Sequence, residues 1–128
     1  MNEQVLRQLD NVDRKGFFFK SMSEELYHAL TTQKLSFYHH RHAIVPQTYM
    51  NNLKLRDFFK ITALGKDHHG KEFVAASEAK HYPIYTTQYH PEKNAWEWNA
   101  KANHSLNGIM TTTIHSTAFV HEVPHLFN

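Results

Sequence analysis

The sequence predicts an α/β fold in a single domain, from its length and from two kinds of hydrophobic pattern. Its 128 residues are a usual size for one domain. Aromatic and β-branched residues cluster in short segments that are typical of strands, above all in residues 82–90. Apolar residues at helical spacing follow candidate N-caps at Ser23 and Ser105. The sequence therefore predicts several strands, a hairpin and a closing C-terminal helix.

Two helices and a strand are predicted in the first part of the chain. Residues 2–10 are predicted to form a short helix, whose apolar face is Val5, Leu6 and Leu9. A second helix is predicted from Ser23 to about Thr32, because serine is a favoured N-cap and Leu26, Tyr27 and Leu30 follow it. Residues 35–45 are predicted to be a strand that ends before Pro46, since proline cannot donate to a ladder.

A hairpin, a strand and a long helix are predicted to follow. Residues 59–64 and 73–76 have strand composition and are joined by a turn-rich segment, which predicts a hairpin over 59–76. Residues 82–90 are predicted to be the next strand. The last helix is predicted to run from Ser105 to about Val120, and its many threonines mean that packing must supply its stability.

The end of the strand predicted at 82–90 carries residues suited to proton transfer. Pro91 ends the strand, so the titratable imidazole of His90 stands at a strand end with the carboxylate of Glu92 two residues on. If the backbone stays extended, both side chains face the same side, and Glu92 accepts from His90 Nδ1–H. This is an acid/base pair that lacks only a nucleophile, and the sequence contains no cysteine that could serve as one.

The segment from Tyr82 to Trp98 resembles the catalytic histidine region of the gamma-glutamyl hydrolases, a branch of the class I glutamine amidotransferase-like superfamily. Tyr89 stands where that family usually has tryptophan. The extension Trp96-Glu97-Trp98 is more specific to the hydrolase branch than His-Pro-Glu alone, which disfavours another amidotransferase branch. The matching residues are Tyr82, Pro83, Ile84, Gln88, His90, Pro91, Glu92, Lys93, Trp96, Glu97 and Trp98.

The resemblance covers about residues 18–120, and it corresponds to the second half of the family's domain. It implies that residues 1–128 form a partial domain, the C-terminal half of a flavodoxin-like class I glutamine amidotransferase-like fold. The half that carries the Gly-x-Cys-x-Gly nucleophile segment is expected to be absent from this chain. A half-sheet would leave an unpaired inner edge and an uncovered apolar face.

The resemblance also implies a reaction and its residues. The family hydrolyses the γ-glutamyl amide bonds of folate polyglutamates by a Cys-His-Glu mechanism, which makes His90 the general base and Glu92 its orienting acid. His40 matches a family histidine that is implicated near the substrate glutamate. No cofactor and no metal is expected. The chain alone is expected to be inactive, so its nucleophile would come from a second chain or from the missing N-terminal half.

Two other interpretations remain open. One is a catalytically inactive truncated paralogue, or a remnant that binds a partner through its open sheet edge. The other is a histidine-rich metal binder built on His39, His40 and His42, which is disfavoured because the chain has no cysteine and no carboxylate nearby.

Composition also limits the partners. The 14 basic residues are scattered, so no nucleic-acid-binding stripe is expected. No apolar run approaches the roughly 20 residues of a membrane span, so no membrane association is expected. The polar N-terminus does not resemble a signal peptide. The family resemblance suggests a secreted, lysosomal or vacuolar protein, and the sequence leaves the compartment open.

Overall fold

The computed structural model describes residues 4–98 and 101–122. The fold is mixed α/β, as the sequence predicts, with two small antiparallel sheets and a long C-terminal helix. This arrangement is consistent with part of an amidotransferase-like domain.

The first sheet pairs strand β1 (Gln4–Arg7) with strand β2 (Ser36–His39) in an antiparallel register that sets Val5 opposite Tyr38. The short helix predicted at residues 2–10 is therefore wrong over the described part of that segment. Its helical signal was only three apolar residues, and pairing with a buried strand outweighs so weak a local preference. Leu9 follows the strand into the core, where its N–H donates to the carbonyl of Leu30 at 3.0 Å.

Helix α1 (Glu24–Thr32) confirms the predicted helix and its N-cap. The hydroxyl of Ser23 accepts from the backbone N–H of Leu26 at 3.1 Å, which satisfies one of the N–H groups that the first turn leaves without a helical partner. The helix buries Leu26, Ala29 and Leu30.

The strand predicted over 35–45 is shorter, because β2 ends at His39. Two short helices that the sequence analysis did not predict follow, α2 (Pro46–Asn51) and α3 (Leu53–Phe58). Pro46 stands in the first turn of α2, where its missing N–H costs nothing and its fixed φ suits a helix. Asn52 caps α3 by accepting from the N–H of Leu55 at 3.2 Å.

The second sheet has the order β3-β4-β5 and is antiparallel throughout. Its strands are β3 (Phe59–Lys66), β4 (Glu72–Ala79) and β5 (Tyr85–Thr87). The first two confirm the predicted hairpin. The strand predicted over 82–90 is reduced to three residues, because the chain bends through residues 80–83 before β5 and turns again after it.

Two helices close the chain, the single-turn α4 (Lys93–Trp96) and the long α5 (Leu106–Glu122). Ser105 caps α5 as predicted, since its hydroxyl accepts from the N–H of Gly108 at 3.2 Å. The buried face of α5 differs from the face that helical spacing indicates, which is Ile109, Met110, Thr113, Ile114, Thr117 and Val120. The buried face consists of Gly108, Thr111, Thr112 and His115. None of the described helices is both long and apolar enough to cross a membrane.

The core lies between α1, the two sheets and α5. The largest fully buried side chains of the described residues are Tyr38, Phe19, Phe37, Leu9, Leu30, Leu35, Asn94 and Ser77. By contrast, Trp96 and Trp98 are 76% and 66% exposed, so these two tryptophans are not core residues. Trp98 stacks on the ring of His104 at a centroid distance of 4.0 Å.

Candidate acid/base site

His90 and Glu92 are in contact, with 3.1 Å between His90 Nδ1 and Glu92 Oε1. The backbone does not stay extended through Pro91, because Glu92 has helical dihedrals and Lys93 N–H donates to the carbonyl of His90 at 3.3 Å. A tight turn into α4 therefore brings the two side chains together. A carboxylate only accepts hydrogen bonds, so His90 carries a proton on Nδ1 in this contact, which leaves the Nε2 of a neutral ring as an acceptor.

The side chains of His90 and Glu92 are accessible, at 39% and 54% exposure. In water, an exposed ion pair or hydrogen bond of this kind adds little stability. The pair is thus better suited to orienting an imidazole than to holding the fold together.

The backbone of the turn is fixed at both ends. On one side, the N–H of His90 donates to the carbonyl of Phe37 in β2 at 2.8 Å. On the other, the hydroxyl of Thr112 in α5 donates to the carbonyl of Pro91. The turn therefore joins the first sheet to the C-terminal helix, and its position depends on both.

Tyr89, the residue before His90, makes a buried hydrogen bond with His115 in α5. Its hydroxyl lies 2.7 Å from His115 Nε2, and His115 Nδ1 lies 2.7 Å from the carbonyl of Thr111. Because a carbonyl can only accept, Nδ1 of the neutral ring carries the proton and Nε2 accepts from the tyrosine. Burial lowers the pKa of His115 to about 4 and raises the pKa of Tyr89 well above its ordinary value.

The sequence pattern does not predict His115 as a residue of this region. The only signal was one imidazole within a run of threonine and apolar residues, and it lies off the face that their helical spacing indicates. A second missed residue is Asn94, which is 1% exposed and donates from Nδ2 to the carbonyls of Leu35 and Asn103, both at 2.9 Å.

His40 does not join His90. Its ring packs near Tyr38 and Phe73, at centroid distances of 5.6 and 5.9 Å, whereas the ring of His90 lies 6.0 Å from that of Phe37. The two rings therefore pack against different neighbours. His40 Nδ1–H donates to the carbonyl of His42 at 2.9 Å, and burial is the main cause of its lowered pKa, although His90 is near enough to contribute to that lowering as well.

His40 lines a cleft of about 880 Å³ between β1–β2 and the tip of the β3–β4 hairpin. Its walls carry more basic than acidic side chains, so the cleft attracts anions. His90 and Glu92 are not among its lining residues. The basic residues are Arg7, Lys34, Arg41, Lys66 and Lys71, and the acidic ones are Asp10, Asp67 and Glu72.

Metal coordination by His39, His40 and His42 is not supported. Within residues 4–98 and 101–122, no three or more histidine, aspartate or glutamate side chains come together in a way that could hold an ion.

Curated proteins with similar sequences match most of this chain. The chain is 38% identical to gamma-glutamyl hydrolase 2 of Arabidopsis thaliana over 108 residues, which cover 84% of this chain and 31% of the relative. It is 36% identical to gamma-glutamyl hydrolase of Glycine max over 115 residues, 88% of this chain and 34% of the relative. The chain is homologous to the gamma-glutamyl hydrolases.

The relationship extends beyond plants and covers only part of each relative. Gamma-glutamyl hydrolase of Rattus norvegicus is 33% identical over 112 residues, 85% of this chain and 35% of the relative. The chain thus spans about a third of the length of the curated relatives it matches, which is consistent with the C-terminal portion that the motifs indicate. No family model matches the chain.

Proposed function

We propose that this chain is the acid/base half of a gamma-glutamyl hydrolase, acting on γ-glutamyl amide bonds such as those of folate polyglutamates. The observation that carries the proposal is the 3.1 Å contact between His90 Nδ1 and Glu92 Oε1, in a chain homologous to proteins with this activity.

The proposed mechanism assigns one task to each residue of the pair. Glu92 accepts from His90 Nδ1–H, which fixes the tautomer and stabilises the imidazolium that forms during the reaction. His90 Nε2 takes the proton of a cysteine thiol, and the resulting thiolate attacks the amide carbonyl. The protonated His90 then delivers that proton to the departing amine, and water releases the acyl group from the sulfur.

The cysteine of this mechanism must come from outside these 128 residues, because the sequence has none. A second chain or further sequence bearing a Gly-x-Cys-x-Gly segment would supply it. The exposure of His90 and Glu92 supports this proposal, since their side chains are accessible to a segment that packs against the turn.

The basic cleft at His40 supports a polyanionic substrate. A γ-linked glutamate chain carries one free carboxylate per residue, and such a chain is attracted by the excess of basic over acidic side chains in the cleft, five against three. His90 and Glu92 do not line the cleft, so we assign the cleft to the distal part of the substrate chain. His40 would contribute most in its protonated form, below its lowered pKa.

The test is hydrolysis of a γ-glutamyl peptide by the chain alone and by the chain combined with a Cys-bearing N-terminal segment of a homologous hydrolase. We expect no turnover from the chain alone, and turnover from the combination that is lost in His90→Ala and strongly reduced in Glu92→Ala. Turnover by the combination that survives His90→Ala would refute the proposal.

A second candidate function is a non-catalytic protein that binds a partner. The observation in its favour is the set of exposed large apolar side chains in the described residues, which includes Trp96, Trp98, Leu106 and Phe119; such surfaces mark interaction sites. Sedimentation and circular dichroism of the chain separate the two views. A cooperatively folding monomer that never combines with a Cys-bearing segment favours this second function.

A further inference from the structure

We propose that His115 is a positioning residue, which holds the turn of His90 and Glu92 against helix α5 by accepting a hydrogen bond from the hydroxyl of Tyr89. The description of that turn as catalytic rests on the proposed function, whereas the positioning itself does not. His115 is not a catalytic residue, because it is buried and contacts neither His90 nor Glu92 through a hydrogen bond.

Two adjacent points on α5 hold the turn. His115 Nε2 lies 2.7 Å from the hydroxyl of Tyr89, on one side of His90. One helical turn earlier, the hydroxyl of Thr112 donates to the carbonyl of Pro91, on the other side. The residues before and after His90 are thus both attached to one rigid element, which limits the orientations that the His90 side chain can adopt.

One hydrogen bond and two aromatic contacts fix the orientation of the His115 ring. Its Nδ1–H donates to the carbonyl of Thr111 at 2.7 Å, which fixes the tautomer and leaves Nε2 as an acceptor. Its ring stacks on that of Phe18 at 4.7 Å and lies edge-on to that of Phe19 at 6.1 Å. The titratable group in contact with His115 is the Tyr89 hydroxyl, and no charged side chain contributes to its pKa shift. The imidazole therefore acts as a neutral, fixed acceptor.

The contact satisfies a buried hydroxyl at position 89. Tyr89 is 4% exposed, and leaving its hydroxyl without a partner would be costly. His115 Nε2 supplies that partner at 2.7 Å.

The experiment is NMR spectroscopy of the 128-residue chain with three variants. Tyr89→Phe removes the hydroxyl and His115→Leu removes the acceptor, while His115→Gln restores an acceptor close to the position of Nε2. Tyr27→Phe is the control, since that half-buried tyrosine contacts the carbonyl of Val12 elsewhere in the core. Ring ¹⁵N shifts at pH 8 report the His90 tautomer.

Amide hydrogen exchange distinguishes local from global effects. The reporters of the turn are the amides of His90 and Lys93, and the references are the amides of Leu64 and Val74, which donate to Asp10 and Ile44. In Tyr89→Phe and His115→Leu we expect exchange at the two turn amides to rise on the order of tenfold, the effect of one lost hydrogen bond. We also expect His90 to lose its preference for the proton on Nδ1.

We expect His115→Gln to restore wild-type exchange at the two turn amides and Tyr27→Phe to leave it unchanged. Equal acceleration at all four amides would overturn the proposal, because His115 would then support only overall stability. Unchanged turn amides in Tyr89→Phe would overturn it as well, and this milder variant decides if His115→Leu fails to fold. No measurement here requires turnover, so failure of this proposal and failure of the proposed function are distinguishable.

Discussion

His90 and His115 lie on the two sides of one turn and have opposite environments. The side chain of His90 is 39% exposed and bonds to Glu92 through one nitrogen. His115 is 4% exposed and uses both nitrogens, one on Thr111 and one on Tyr89. An accessible imidazole with a nitrogen left for a substrate is suited to proton transfer, whereas a buried one with both nitrogens bonded is suited to holding structure. The same residue type therefore has two different environments around one turn.

The largest predicted effect is a loss of turnover when the accessible histidine, His90, is removed. In a hydrolase assembled with a Cys-bearing segment, we expect His90→Ala to reduce turnover on the order of 10²–10⁴-fold, the usual contribution of a positioned acid/base group. The free energy of unfolding should change by no more than about 0.5 kcal/mol, because the side chain is exposed. Steady-state kinetics and urea unfolding check both values.

The matched control for that prediction is His28→Ala, at an exposed histidine of α1. It should change neither turnover nor stability. A His28 variant that loses activity like the His90 variant would remove the distinction between the two sites.

Acid unfolding provides the next largest effect. The pKa of His115 falls from an ordinary value of 6.5 to about 4 in the folded chain, which corresponds to about 3 kcal/mol. The unfolded state binds the proton more readily than the folded state. The contribution of His115 to the free energy of unfolding is therefore fully present above pH 6.5 and is lost as the pH falls toward 4. His40, with a lowered pKa, acts in the same direction, whereas the lowered pKa of Asp13 acts only below 3.8.

Urea unfolding at pH 7, 5 and 4 tests this effect. The wild type should lose more stability than His115→Gln over that range, because glutamine does not titrate. Parallel pH profiles of the two proteins would show that His115 is not the group responsible.

Asn94 in α4 is, like His115, a buried polar side chain with two hydrogen bonds. We expect Asn94→Ala to cost about 2 kcal/mol, because it leaves the carbonyls of Leu35 and Asn103 without their donor in a buried site. Thermal or urea unfolding measures the loss. Asn51→Ala, which removes an exposed acceptor of Gln47, is the control and should cost much less; an equal cost would mean that burial of Asn94 is unimportant.

The smallest predicted effect concerns the second attachment of the turn. Thr112→Val preserves the shape of the side chain and removes the hydroxyl that donates to Pro91, so we expect a loss of about 1 kcal/mol. Thr113→Val is the neighbour control, since its hydroxyl bonds only to the carbonyl of Ile109 in its own helix. Similar unfolding midpoints for the two variants would argue against the attachment.

Local sequence signals predicted several features of the fold correctly. Ser23, Ser105 and the hairpin over 59–76 follow from local signals, namely caps, turn residues and strand composition, and all three predictions are confirmed. The contact of His90 with Glu92 could be expected from their spacing, although a turn rather than a strand produces it. These features depend on residues close together in the chain.

The missed features depend on residues that are distant in the chain. The strand β1 forms because β2 lies beside it, which overrides the weak helical pattern of residues 2–10. His115 meets Tyr89 across 26 positions, and Asn94 meets Leu35 across 59. A local pattern cannot show such contacts. The catalytic role of His90 and Glu92 and the binding role of His40 stay predictions.

The most direct test of the contrast between the two histidines is two-bond ¹H–¹⁵N NMR of the twelve histidines from pH 8 to pH 4, with Glu92→Gln as the comparison. We predict that His115 stays neutral with its proton on Nδ1 until the pH approaches 4, and that its signals do not respond to Glu92→Gln. The ring signals of His90 should change in that variant. A His115 that becomes protonated near pH 6.5, or a His90 that is insensitive to Glu92, would contradict this account.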